Sequence, residues 1–293
     1  MISEIFGDIV PMKRTMIILL ALMLSFQCSA QRDSLLVMFW NVENFFSPGS
    51  ETPPHWSKSR FSAKCDAISK IIFRVAEEYG RLPDAIGFAE VENGYVLKRL
   101  VLGTGLRKLD YGILHFDSPD HRGIDCALLY RKSTMRLEEA APKHLKAADG
   151  SVLPTRDILM ARFDSLAVLV NHHPSKVGDG SDSTRTIAME RLDSLCDSLE
   201  NAGCPRILAV GDFNDTLWPD SGKGTIKYNG GWEKIDGFFQ RGLSGVKEDI
   251  FDDELLLEPD KSYGGVKPRR TYSGPRYLGG VSDHLPIVVT VYF

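Results

Sequence analysis

Short apolar runs alternate with amphipathic segments along most of the chain. Nine runs read as strands, at residues 35–42, 85–91, 111–116, 124–131, 157–163, 166–172, 206–213, 233–240 and 285–293. Two longer stretches carry helical periodicity. Residues 62–79 place Ile68, Ile71, Ile72, Val75 and Tyr79 three or four apart, and residues 184–201 do the same with Ala188, Leu192, Leu195 and Leu199. Ser183 suits the N-cap of the second helix and Gly203 its stop. Residues 94–102 read as a third, shorter helix. Polar, Gly/Pro-rich stretches at 47–59, 144–154, 176–183, 219–231 and 258–280 read as long surface loops, which in compact domains are usually functional or disordered. Many strands, few helices and no repeats or linkers predict one α/β domain.

The N-terminal region breaks this pattern. Residues 16–26 (MIILLALMLSF) are apolar throughout, with Lys13 and Arg14 before them and Cys28-Ser29-Ala30 after. This order predicts a secretory signal over residues 1–30, cleaved after Ala30, and a catalytic domain over 31–293. The run is too short to span a bilayer. Lipidation at Cys28 is the weaker alternative, because Gln27 stands where lipoprotein signals carry a small residue. Glu4 and Asp8 do not suit a basic leader, so translation is expected to start at Met12. The destination is the periplasm or the extracellular space.

Composition narrows the class. With 293 residues, 43% hydrophobic and 25% charged, the chain has the make-up of a globular protein. Its 35 basic and 39 acidic residues leave a net charge of -4, which excludes general coating of nucleic acid. Cys65, Cys126, Cys196 and Cys204 follow the leader without CxxC or Cys/His zinc spacing. Export would allow Cys196 and Cys204 to pair, but apolar surroundings make Cys126 and Cys196 read as small hydrophobes.

Candidate chemistry gathers at the ends of the apolar runs. Asn41-Val42-Glu43-Asn44 follows LVMFW, and Glu90 ends GFAEVEN. Asn171-His172-His173-Pro174, Asp212-Phe213-Asn214-Asp215 and Lys234-Ile235-Asp236 come later, and Ser282-Asp283-His284 precedes the final run. Each fragment alone could be an ordinary turn, since Asp and Asn cap their own backbone. As a set they suit phosphoester hydrolysis, which needs a hard cation on oxygen ligands and separated proton donors and acceptors.

In type and order these fragments resemble the endonuclease/exonuclease/phosphatase superfamily, across nearly the whole of residues 35–293. The resemblance implies a four-layer α/β sandwich, two mixed β-sheets face to face with helices outside. It also implies a Mg²⁺-dependent phosphoesterase, with Mn²⁺ or Ca²⁺ as substitutes, that uses water and no covalent intermediate. Glu90 then resembles the direct metal ligand, with Asn41, Glu43 and Asp283 beside it. His172 resembles the histidine that assists the leaving group, and Asp212 and Asn214 the pair that orients water and phosphate oxygens. Asp236 and His284 resemble an aspartate-held histidine on the phosphate side. Arg122, Asp125 and Arg156 match positions that contact substrate or support those that do. This chain departs from the pattern at His173, where relatives often carry an aromatic; strand alternation favours His172 as the histidine facing the site.

The leading reading is an exported, monomeric, nuclease-like phosphodiesterase without a membrane span, gripping nucleic acid through a local patch such as Lys176, Lys267, Arg269 and Arg270. The runner-up is a phosphatase or phosphodiesterase acting on small or lipid-derived phosphates, of inositol phosphate or sphingomyelin type. For that reading Trp218-Pro219 and Phe238-Phe239 are either a lipid-facing loop or core. A catalytically inert binding module is the third reading, which the complete set of acids and histidines disfavours.

Overall fold

In chain order the strands are β1 (Ser34–Phe45), β2 (Ala85–Val91), β3 (Tyr111–His115), β4 (Asp125–Arg131), β5 (Leu137–Lys143), β6 (Ile158–Phe163), β7 (Ala167–His172) and β8 (Ile207–Asp212). They continue with β9 (Ile226–Tyr228), β10 (Gly231–Glu233), β11 (Asp236–Arg241), β12 (Gly245–Ile250), β13 (Leu257–Pro259), β14 (Val266–Pro268), β15 (Tyr272–Ser273), β16 (Arg276–Tyr277) and β17 (Ile287–Tyr292). The helices are α1 (Lys58–Glu78), α2 (Gly94–Gly103) and α3 (Asp182–Asn201). This computed structural model describes residues 34–49, 56–175, 182–217 and 223–293. The expected leader with Met12, Cys28 and Ala30 lies outside the described residues, as do Lys176 and Trp218-Pro219. No helix among the described residues is long and apolar enough to cross a membrane.

Two sheets carry the fold. One has the order β12-β17-β1-β2-β4-β3 and the other β11-β8-β7-β6-β5. Each is mixed: β1 and β2 run parallel, as do β7 and β8, and antiparallel pairs flank them. Alternating residues of β1 divide between two cores. Leu35, Val37 and Phe39 meet Val168 and Val170 of β7 and Leu208 and Val210 of β8 between the sheets. Leu36, Met38 and Trp40 face the other way, against Ile68, Ile72 and Val75 of α1 and Leu97 of α2. On the far side Leu192, Leu195 and Leu199 of α3 cover Leu169 and Ala209. Residues Leu35–Phe293 thus form one compact unit with helix, sheet, sheet and helix layers, as the resemblance implied. Each fully buried aliphatic side chain contributes about 1.5–3 kcal/mol to such a core.

Local signals explain the helix starts. Ser57 caps α1 by accepting the amide of Arg60 at 3.3 Å, so the helix begins before the expected residue 62. Asn93 caps α2 by accepting the amides of Tyr95 and Val96, which turns the chain sharply just after Glu90. Within the described residues helix α3 runs from Asp182, which puts Ser183 inside it and not at its cap.

Several expectations needed correction. Strands β5 (LEEAAPK) and β12 (GVKEDI) were missed because they are sheet edges, where charge and Pro142 blunt the free edge and hide the apolar signal. The expected strand at 233–240 is two, broken at Lys234-Ile235. Loops 219–231 and 258–280 hold short hairpins; β9 and β10 turn at Asn229-Gly230, both at positive φ. Phe238 and Phe239 are partly buried against the cores of the second sheet, which makes them core and not a lipid-facing loop. Cys65, Cys126, Cys196 and Cys204 are all free thiols.

Candidate active site

Parallel strands deliver their C-terminal ends to the same edge of a sheet, and here both parallel pairs do so. In the first sheet β1 and β2 present Asn41, Glu43 and Glu90; in the second β7 and β8 present His172 and Asp212. The two edges are joined directly, because the Asn41 amide Nδ2 donates to Asp212 Oδ2 at 3.0 Å and to Glu90 Oε1 at 3.4 Å. Asp236 opens β11 opposite Asp212, held there by the Thr225 hydroxyl, which accepts its amide. The break before β11 therefore sets a carboxylate beside the site. His284 arrives from the turn before β17: Ser282 Oγ donates to the Asn41 carbonyl at 2.6 Å and accepts the His284 amide, and Trp40 Nε1 donates to the His284 carbonyl.

Asp212 is the centre of this arrangement. Its Oδ2 lies 3.8 Å from His172 Nε2 and 3.8 Å from His284 Nε2. Burial, then the neighbouring Asp236, push its carboxyl up to about 7, against the pull of His284. It is therefore poised to give or take a proton near neutral pH. His284 Nδ1 pairs with Asp236 Oδ2 at 2.8 Å. Burial opposes charge on this ring, but Asp236 and Asp212 outweigh it and raise its pKa well above the ordinary histidine value. His172 goes the other way: burial first, then Arg156 and Arg122, lower it well below that value. The stored proton sits on His284, and His172 is a neutral imidazole whose buried Nδ1 has no hydrogen-bonding partner. The two rings, alike in sequence, are thus electrostatically opposite.

Glu90, Glu43 and Asp283 surround a pair of cations. Glu90 accepts the Asn44 amide at 2.7 Å. Both oxygens of Glu43 are engaged: Oε1 accepts from Arg270 at 2.8 Å and Oε2 from the Thr271 amide at 2.9 Å. Arg270 also pairs with Asp283 at 3.1 Å. Lys64, buried on the apolar face of α1, donates to the Glu43 carbonyl at 2.5 Å and to Thr271 Oγ1 at 2.8 Å. Burial lowers its pKa to about 8, while Glu43, Glu90 and Asp283 oppose the shift. Burial, then Asp283, raise the carboxyl of Glu43, and Arg270 and Lys64 restrain it. Glu43 thus holds Arg270 with one oxygen and the Thr271 amide with the other. Asn41 Oδ1 accepts the Glu43 amide, while the carboxylates of Glu90 and of Asp283, the latter beyond Arg270, are hard oxygens of the kind taken by Mg²⁺, which keeps several waters and needs few protein ligands.

Backbone strain concentrates in the same place. Among the described residues, five non-glycine positions have positive φ, and Glu43, Asn44, Glu90 and Asn214 are four of them. Such conformations persist where the surrounding structure over-determines them, as at functional sites.

The remaining expected residues fall in a supporting ring. Asn214 donates its side-chain amide to the His173 carbonyl at 2.9 Å and its backbone amide to Asp212 Oδ1. Arg156 is buried, spanning Asp120 at 3.0 Å and the His173 carbonyl at 2.7 Å; it braces the site where a phosphate contact was expected. Asp125 is committed to Ser118 and His115. Arg122 keeps 43% of its side chain exposed beside Asp120. His173 turns away from His172 to pack edge-on against Phe213, as strand alternation requires. Of the expected basic patch, Lys267 pairs with Glu258, Arg269 donates to the Leu278 carbonyl and Arg270 serves the carboxylates. Sequence reasoning passed over Lys64 and Thr271, and it gave Ser282 and Asp120, which stand in motifs it singled out, no role of their own. Lys64 left one signal, a charge in the middle of an apolar helix stripe.

Comparison with known proteins follows the same line. The family model described as Endonuclease/Exonuclease/phosphatase family matches residues 37–240 and 217–292. An endonuclease/exonuclease/phosphatase family protein from Bacteroides thetaiotaomicron has a similar structure, with 18% identity, TM-score 0.56, and coverage of 89% of this chain and 98% of that one. The mannosyl-6-phosphatase of the same organism gives 16%, 0.56, 88% and 100% on the same measures. TDP2 from D. rerio, complexed with single strand DNA product, gives 15%, 0.51, 89% and 99%. At these identities the likeness is one of fold. No curated protein matches the chain.

Proposed function

Since the chain belongs to the endonuclease/exonuclease/phosphatase family and is a metal-dependent hydrolase of phosphoester bonds, we propose that it is an exported, monomeric, Mg²⁺-dependent phosphodiesterase of nuclease-like specificity. One observation carries the reading: Asp212 Oδ2 lies 3.8 Å from the Nε2 atoms of both His172 and His284, beside Glu90 and Asn41. Glu90, Asn41 and Asp283 would hold the metal, which when bound neutralises charge on nonbridging phosphate oxygens. Asp212 takes the proton of the attacking water, and Asn214 steadies its carboxylate. His284, kept charged and oriented by Asp236, donates to a phosphoryl oxygen. His172, neutral, offers a hydrogen bond to the leaving oxygen, and Arg122 is the exposed cation next to the site.

A second reading, a phosphatase or phosphodiesterase on small or lipid-derived phosphates, is favoured by one specific feature. Lys267, Arg269 and Arg270 are already engaged, which leaves a nucleic-acid backbone fewer free cations than the sequence suggested. The two readings separate on substrate. With Mg²⁺, nicking of supercoiled plasmid and cleavage of a bis-aryl phosphodiester are expected, with little release from a mono-aryl phosphate. A chelator, Glu90→Gln and His284→Ala each abolish it. Turnover that survives these controls sinks the mechanism, and mono-aryl phosphate or sphingomyelin as the better substrate moves the assignment to the second reading. Export is tested by sequencing the mature N-terminus, expected at Gln31.

A further inference from the structure

We propose that His115, Asp117 and Asp125 form a second divalent-metal site, structural in role and suited to zinc, which shares with the phosphoester site only Asp125 of its supporting ring and none of the groups around Asp212. Ligand atoms of these three side chains all lie within 4.8 Å of one another. His115 ends β3 and Asp125 begins β4, so the antiparallel pairing that sets His115 opposite Ala127 brings the imidazole to the carboxylate.

The contact between them is not a hydrogen bond. His115 Nε2 lies 3.1 Å from Asp125 Oδ2, yet that nitrogen has no hydrogen-bonding partner, and the His115 side chain is only 7% exposed. A buried ring nitrogen close to a carboxylate but not aligned with it is aimed at a shared third point. Two ligands of one ion bonded at about 2.0–2.2 Å stand about 3.0–3.5 Å apart, the separation found here. Ser118 fixes the direction of the carboxylate by donating its amide and its hydroxyl to Asp125 Oδ1, which turns Oδ2 to the ring. Asp117, 90% exposed, lies 3.8 Å from the other ring nitrogen and is free to swing to the ion. One imidazole and two carboxylates, with water in the fourth position, suit Zn²⁺.

The site would staple β3 to β4 at the base of the turn that carries Asp120 and Arg122. Asp120 grips Arg156, which holds the His173 carbonyl that also anchors Asn214. A metal here stiffens the supporting ring of the active site without touching substrate.

The test uses the full chain carrying Glu90→Gln and His284→Ala, so that neither the Glu90 position nor the Asp212, Asp236 and His284 group of the phosphoester site can hold the ion, and titrates it with Zn²⁺ by calorimetry and with Co²⁺ by visible absorption. The expected result is about one bound equivalent and a Co²⁺ ligand-field band. Asp117→Asn, at an exposed position that cannot disturb the core, weakens binding at least tenfold with an unchanged urea midpoint in the absence of metal. His115→Gln abolishes both signals, and Zn²⁺ raises the melting temperature of the parent but not of this variant. The proposal is overturned if this doubly substituted parent binds no Zn²⁺, or if adding Asp117→Asn or His115→Gln leaves it binding as tightly as the parent. Phosphoesterase activity is not the readout, so failure here is distinct from failure of the catalytic reading.

Discussion

Two neighbouring histidines at the end of β7 have different work because one side chain points each way from a strand. His172 faces Asp212, while His173 is buried against Phe213 with neither ring nitrogen hydrogen-bonded. Burial, then Arg156, lower the pKa of His173 to about 3. The unfolded chain, with a histidine near pH 6.5, therefore binds a proton that the folded chain refuses. The stability from this site is whole above about pH 6.5 and declines as pH falls towards about 3. His173→Phe keeps the ring packing and removes the proton, so between pH 8 and pH 5 the variant should escape about 2 kcal/mol of the loss seen in the parent by urea denaturation. An equal pH dependence in both proteins would refute this. Asp236 makes the complementary case. Asp236→Asn leaves the shape but removes the charge that holds His284 protonated, and kcat should fall about 10²–10⁴-fold with KM little changed, measured on the bis-aryl diester. A fall confined to KM would place Asp236 in binding instead.

Elements set these positions through register. His172 stands opposite Asp212 because Asn171 pairs with Gly211 across β7 and β8. A Cβ on Gly211 would meet the Asn171 carbonyl oxygen at 2.6 Å, a backbone contact that no rotamer relieves. Gly211→Ala should therefore displace the two strands that carry His172 and Asp212, destabilise by about 1–3 kcal/mol in urea and lower kcat at the same time. A variant with parental stability and activity would show that the strands can yield. Helix α1 has a similar reach: Lys64 ties it to the Glu43 carbonyl and to Thr271, so one helix braces both the end of β1 and the loop bearing Arg270. The apolar stripe that marks α1 was legible in sequence, whereas the partners of its one buried lysine were not, since they lie 21 and 207 residues away.

At the scale of the whole molecule, charge and fold meet in the site. The net charge of -4 includes Glu43, Glu90, Asp212, Asp236 and Asp283, which converge where a cation belongs. Mg²⁺ at about a hundred times its Kd should stabilise the protein by about 2.7 kcal/mol, seen as a higher melting temperature, and Glu90→Gln should remove the gain. A gain unchanged in Glu90→Gln would put the ion elsewhere. Sequence by itself determined the central strands, the three helices and the acids and histidines at strand ends, because apolar periodicity and turn residues are local properties. It missed the polar edge strands β5 and β12, whose signal is suppressed where a sheet must not extend. Only the tertiary structure decided what each polar group does. It gave Glu43 and Arg270 to each other, made Arg156 a brace, placed the proton on His284 and kept it off His172, and brought His115 to Asp125. The reason is physical: a pKa or a hydrogen bond depends on burial and on charges within a few ångströms, and those neighbours come from strands and loops far apart along the chain.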